Sequence, residues 1–146
     1  MFGWLLLAVT VGHAQHIGRQ HESVRVQGTV LCNGTGYPDA KVIFFNHKVV
    51  PIKLAEARPI ISGAFSIAWS GNELIPPVAP FINIYHRCLF EDQPLKVCSR
   101  VLGIEIPRNY VISNSSRVNA TYDIGIMNLN LKFTHEIIDC FFGTYS

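Results

Sequence analysis

Four cysteines and a histidine two positions from one of them are the side chains of this 146-residue chain whose types and spacing could do chemistry. A thiolate at Cys88 beside His86 would pair a nucleophile with a base. Gathered together, Cys32, Cys88, Cys98 and Cys140 could instead hold a metal, but no two form a Cys-x-x-Cys pair, the spacing that zinc sites use. Beyond the first fourteen residues, the other histidines, His16, His21, His47 and His135, show no i, i+2 or i, i+4 pairing either, so no metal ligand is expected. An even number of cysteines behind a secretory leader implies disulfides, and four cysteines allow three pairings. The preferred one closes Cys88 onto Cys98 across the turn-rich Leu89-Phe90-Glu91-Asp92-Gln93-Pro94-Leu95, leaving Cys32–Cys140 to tie the first strand to the tail. An oxidised Cys88 gives His86 nothing to activate. Alternation groups His86 with Ile82 and Ile84, which predicts a partly buried histidine with its hydrogen bonds satisfied. Asp123 beside Gly125 reads as a turn device. No catalytic residue and no cofactor are expected.

The cysteines sit in a chain with an apolar start. Phe2 to Val11 carries no charge, and Gly12-His13-Ala14 offers small residues at a cleavage position, the outline of a signal peptide over residues 1–14. Residues 15–23 read as a polar N-terminal arm, and residues 24–146 as one domain with a C-terminal tail. Nothing beyond the leader is long and apolar enough to span a bilayer as a helix, so a secreted, extracellular protein without a transmembrane segment is expected. The net charge of +2 comes from basic residues scattered singly, which argues against a nucleic-acid surface.

The elements that must position these side chains are strands. Pro80-Phe81-Ile82-Asn83-Ile84-Tyr85-His86-Arg87-Cys88 mixes aromatic and β-branched residues after a proline break, and Val101 to Ile106 should pair with it. Val24, Val26 and Val30 alternate on one face of a first strand, followed by turn chemistry at Asn33-Gly34 and a second strand over Lys41–Phe45 that should pair with the first as a hairpin or its long-looped equivalent. A further strand is expected near Val49–Leu54. Another spans Ile60–Trp69 with Phe65, Ile67 and Trp69 inward, and a last one spans Ile126–Phe133 with Met127, Leu129, Leu131 and Phe133 buried. About seven to eight strands without a helical period predict an all-β fold, an antiparallel β-sandwich stapled by disulfides. Three glycosylation sequons, Asn33-Gly34-Thr35, Asn114-Ser115-Ser116 and Asn119-Ala120-Thr121, fall in the connections; Asn119 is the best acceptor, and Asn33 competes with its own turn.

Five segments in this order resemble the nematode transthyretin-like family of small secreted proteins: Val26 to Gly34, Gly63 to Ile67, Pro80 to Cys88, Ile106 to Val111 and Tyr122 to Leu129. The resemblance implies a transthyretin-like (prealbumin-like) sandwich, an extracellular setting, disulfides of the family's type, no enzyme activity and no defined ligand. Two departures stand out. After Leu31-Cys32-Asn33-Gly34 the family's usual Lys-Pro is replaced by Thr35-Gly36-Tyr37-Pro38, and an Asp-rich turn before Gly63 is replaced by Arg58-Pro59-Ile60-Ile61-Ser62. The 5-hydroxyisourate hydrolases of the same fold end in Tyr-Arg-Gly-Ser. This chain ends Phe141-Phe142-Gly143-Thr144-Tyr145-Ser146, so that activity is not expected. What remains is a non-enzymatic binding or bridging protein recognising an extracellular protein, a glycan or a cell-surface lipid through loops on a rigid frame. The alternative is a carrier of a small apolar molecule or lipid, for which the exposed hydrophobes Leu89-Phe90 and Phe141-Phe142 would be suited.

Overall fold

A computed structural model of the chain describes residues 20–73, 77–89, 98–113 and 121–140. The expected leader, the first part of the arm, Asn114, Asn119, Phe90, Phe141 and Phe142 lie outside the described residues.

The spine is β1 (Gln20–Cys32), whose alternating Val24, Val26 and Val30 are buried. The strand starts at Gln20, inside the stretch expected to be an arm. Its antiparallel ladder to β5 (Ala64–Glu73) runs from Gln20↔Glu73 to Thr29↔Ala64, and Glu22 and Ser23 are buried by it. At the other end Asn33 and Gly34 take positive φ values of 51° and 79°, the conformation a two-residue hairpin turn of matching twist requires. The turn pairs β1 with β2 (Thr35–Gly36) in the register Leu31↔Gly36, Cys32↔Thr35. Tyr37, its N–H donating to the Val30 carbonyl at 3.0 Å, and Pro38 then carry the chain across to the second layer. The hairpin expected between the first two long strands is therefore not formed. β3 (Lys41–His47) enters the opposite sheet, where Lys41–Phe44 are buried as suits a strand with neighbours on both sides.

One sheet has the order β2-β1-β5, with β8 (Ile112–Ser113) and β9 (Thr121–Asn128) also paired to β1. The other has the order β10 (Ile137–Asp139), β7 (Ser99–Glu105), β6 (Pro80–His86), β3, β4 (Pro51–Ala57). Among the described residues, every pairing is antiparallel except that of β1 with β9. The expected pairing of the 80–88 strand with the 101–106 strand is present, from Phe81↔Glu105 to His86↔Arg100. Pro107 follows the end of β7 and leads into a 3₁₀ turn over Arg108–Tyr110.

Three strands are displaced from their expected positions, each for a local reason. β5 begins at Ala64 because Ile60–Gly63 closes a turn, with Gly63 N–H on the Ile60 carbonyl at 2.8 Å. Gly63 has φ +89°, and a Cβ there would lie 2.1 Å from the Val30 carbonyl oxygen, so only glycine fits. β4 begins at Pro51, leaving Val49 and Val50 in the turn after β3. β9 ends at Asn128, because its partner β1 is ending there (Leu31↔Asn128). Leu129 then turns inward and is buried, Met127 and Phe133 are half-buried, and Leu131 is exposed rather than part of a buried face.

The core lies between the layers, built from Val24, Val26, Val30, Val42, Phe44, Phe65, Ile67, Ile82, Ile84, Leu102, Ile106 and Leu129. A smaller cluster of Ile43, Tyr85 and Val101, with Phe45 at its margin, occupies the opposite face of the second sheet.

Candidate binding surface at the disulfide end

The same inward alternation that fills the core brings the cysteines together. Cys32 continues the series Val26, Gly28, Val30 on β1, and Cys88 continues Ile82, Ile84, His86 beyond β6. The disulfide is accordingly Cys32–Cys88, joining one layer to the other, and the second is Cys98–Cys140. The expected Cys88–Cys98 and Cys32–Cys140 pairing is corrected. Extrapolated along the β6–β7 register, Cys88 and Cys98 would face each other, but β6 ends at His86 and the chain turns through Leu89 at φ 67°. Cys98 instead follows the Ser99↔Asp139 rung that pairs β7 with β10, next to Cys140.

No cysteine is free, so Cys88 offers no thiolate. His86 is fully buried beside it, deeper than the partly buried residue expected from alternation. Its Nδ1 accepts the Cys88 N–H at 3.2 Å, its ring meets Tyr37 edge-on at 6.3 Å, and its Nε2 has no hydrogen-bond partner. Burial, reinforced by the Arg100 guanidinium and opposed by Glu136, lowers its pKa from 6.5 to about 4. His86 is neutral at physiological pH and cannot act as a base near neutrality.

Arg100 was not singled out by motif or spacing, yet it organises this end. It stands on the inward side of β7 with Leu102 and is buried. Its Nη1 donates to the carbonyls of Cys88 at 3.1 Å and Leu129 at 2.8 Å, and its Nη2 to Leu131 at 2.8 Å. The remaining donors grip the Glu136 carboxylate, Nη2 at 2.8 Å from Oε2 and Nε on Oε1, the two-pronged geometry that makes arginine–carboxylate pairs strong. Burial would push the Glu136 pKa up, but the hydrogen bonds from Arg100 and from the Phe133 N–H, at 3.3 Å, outweigh it and hold the group below its ordinary range. The only sequence signal for this clamp is an arginine at a core-facing strand position; its partner lies 36 residues away.

Around the clamp opens a groove of about 490 Å³, lined by Leu89, Arg100, Asn130, Lys132, Glu136 and Ile138. Leu89 and Ile138 are aliphatic and exposed, at 55% and 60%. Asn33, the one sequon asparagine among the described residues, is exposed at the rim, its N–H donating to Asn130 Oδ1 at 3.2 Å.

The far end of the sandwich is different. The turn between β3 and β4 presents Val49 and Val50, 92% and 66% exposed. Beside it Glu22 is buried, one carboxylate oxygen accepting the Val78 N–H at 3.0 Å and the other without a partner. Burial raises the Glu22 pKa, opposed by that hydrogen bond, with nearby Glu73 adding to the rise and Lys48 to the opposition. Asn46 latches the incoming strand by accepting the Ala79 N–H and donating to Glu73. Among the described residues no three His, Cys, Asp or Glu side chains gather closely enough to hold a metal ion, and no helix is long and apolar enough to cross a membrane.

Fold and site together define a β-sandwich stapled by two disulfides. The sequence profile of the Transthyretin-like family matches residues 27–107, more than half of the chain, and the protein belongs to that family. Transthyretin-like protein 5 of Caenorhabditis elegans is 29% identical over 139 residues, covering 93% of this chain and 96% of that protein. Transthyretin-like protein 2 of the same organism is 28% identical over 144 residues, covering 93% of each. Transthyretin-like protein 46 is 27% identical over 118 residues, and the match spans 64% of its length. Among solved structures, a 9R-lipoxygenase from Cyanothece PCC8801 aligns with a TM-score of 0.38 and 12% identity over 74% of this chain and 16% of its own, too distant to bear on function.

Proposed function

We propose that the protein is a secreted, non-enzymatic extracellular binding or bridging protein of the transthyretin-like family, engaging an extracellular protein, glycan or cell-surface lipid through its loops. The observation that carries this reading is the pair of valines at the β3–β4 turn. Two adjacent aliphatic side chains at 92% and 66% exposure contribute nothing to the fold, and such residues often mark a contact. A closed core, in which Val24, Val42, Phe44 and Ile82 are fully buried, supports recognition at the surface rather than inside. The oxidised cysteines and the Asn33 sequon suit passage through a secretory compartment.

The test is to secrete the protein from cultured cells with its leader and measure saturable binding to extracellular surfaces, alongside Val49→Asp/Val50→Asp. The expected result is release into the medium, unchanged thermal stability in the variant, and binding weakened about tenfold or more, as when apolar anchors are removed from a contact. Retention inside the cell, or equal binding by both proteins, would refute the reading. A second reading, a carrier of a small apolar molecule, is favoured specifically by the 490 Å³ groove at the disulfide end.

A further inference from the structure

We infer that the groove at the disulfide end is a binding site for a single long-chain aliphatic carboxylate, a free fatty acid. This inference rests on the carrier reading and adds to it the chemistry of the ligand. The volume of about 490 Å³ falls within the 300–1,000 Å³ typical of small-molecule sites. The walls are Leu89 and Ile138, side chains that a soluble monomer leaves in water for no structural gain. An acyl chain laid along them removes apolar surface from water at roughly 25 cal/mol per Å².

Charge decides which end of the ligand lies where. Arg100 lies in the floor, but its guanidinium is matched by Glu136 and held by three carbonyls, so the clamp adds no net charge to the groove. Asp139, the next residue after Ile138, engages its own partner. That leaves Lys132, exposed and without an ion pair to any described residue, as the charge of the groove. Beside it stands the Asn130 carboxamide, whose oxygen already accepts the Asn33 N–H; its amide hydrogens are the remaining donors. An apolar wall ending in one ammonium and one amide donor is complementary to an aliphatic chain ending in a carboxylate. A neutral lipid would leave Lys132 unmatched, and an amine would be repelled by it.

The site is also built rigidly. Arg100 ties Cys88, Leu129 and Leu131 to one guanidinium, and the disulfides Cys32–Cys88 and Cys98–Cys140 pin both sides, so the groove walls are set before any ligand arrives.

The test uses the full secreted protein and cis-parinaric acid, a fluorescent long-chain carboxylate, with its methyl ester and dodecylamine as comparisons. Saturable binding of the acid near one-to-one is expected, with the ester and the Lys132→Ala variant weaker by about fivefold, the value of a partly exposed ion pair near 1 kcal/mol. Leu89→Asp and Ile138→Asp, both at exposed positions, should each weaken it by about tenfold or more while the melting temperature stays within a few degrees. Equal binding of acid and ester, or no effect of Lys132→Ala, overturns the carboxylate assignment but leaves a carrier of neutral lipid standing. Failure of all three probes removes the carrier reading as well. Binding that appears only in a Phe141→Ser/Phe142→Ser variant assigns the groove to the chain's own tail and likewise overturns the inference.

Discussion

The sharpest consequence of the architecture is an acid sensitivity centred on His86. The imidazole is fully buried with its Nε2 unpartnered, and its pKa falls from 6.5 to about 4. In the unfolded chain it titrates near the ordinary value, so between pH 6.5 and pH 4 the unfolded state binds a proton that the folded state refuses. The stability that His86 contributes is therefore fully present above pH 6.5 and is lost as the pH falls, with a slope near 1.4 kcal/mol per pH unit. At 1.36 kcal/mol per unit, the full drop is worth about 3 kcal/mol. The measurement is urea unfolding from pH 7 to pH 4, followed by tryptophan fluorescence, on the wild type and on His86→Gln, which keeps an acceptor for the Cys88 N–H but does not titrate. His86→Gln should cost stability at pH 7 and progressively less below pH 6.5, the two curves converging by about 3 kcal/mol. Parallel curves across that window would refute the reasoning.

Peptide mapping without reduction should recover Cys32 linked to Cys88 and Cys98 linked to Cys140; a Cys88–Cys98 peptide would contradict the fold. Removing either bridge closes a loop no longer, and with separations of 56 and 42 residues each loss should cost about 4 kcal/mol on the chain-entropy account, read as a lower urea midpoint. Glu136→Gln leaves the Arg100 guanidinium buried without its counter-charge and should destabilise by about 3–5 kcal/mol, whereas Lys53→Gln, at an exposed pair with Glu56, should shift the midpoint little. Glu22 has the opposite sign to these ion pairs. Its raised pKa makes the folded state bind a proton more tightly than the unfolded one, so the Glu22 contribution to stability rises as the pH falls through that range. Glu22→Gln should compare more favourably with wild type at pH 7 than at pH 4, and a constant difference would count against the burial penalty assigned to it.

Alternation in the sequence carried most of the sandwich. Val24, Val26 and Val30, then Phe65 and Ile67, then Ile82 and Ile84 are buried as their spacing requires, and the β6–β7 pair falls where the 80–88 and 101–106 runs place it. Layer assignment was harder. The Asn33-Gly34 turn announces a hairpin, but its second strand is only two residues long, and the decisive crossing happens at Tyr37-Pro38. The cysteine pairing was legible from parity, since Cys32 and Cys88 both continue inward series; nearness in sequence pointed elsewhere. Arg100 with Glu136, and Glu22 beneath Val78, escape a local reading because each is completed by a residue more than thirty positions away. Polar residues at core-facing strand positions were the visible trace of both. The sequons at Asn114 and Asn119 lie outside the described residues, and Asn33 is exposed in the turn after β1.

The order of the bridges along the chain has a topological consequence. Each disulfide closes its own loop, the first ending at Cys88 before the second opens at Cys98, so the covalent rings lie in series and do not interlock. A single peptide cleavage anywhere between those two cysteines would yield two fragments with no bond between them, β1–β6 in one and β7–β10 in the other. They would be held by non-covalent contacts alone: strand pairing across β6–β7 and between β1 and its neighbours β8 and β9, the hydrogen bonds of Arg100 to Cys88 and of Asn33 to Asn130, and the shared core. A denaturing gel run without reductant would separate them, and dilution after such a cut would turn a one-chain folding problem into a bimolecular association.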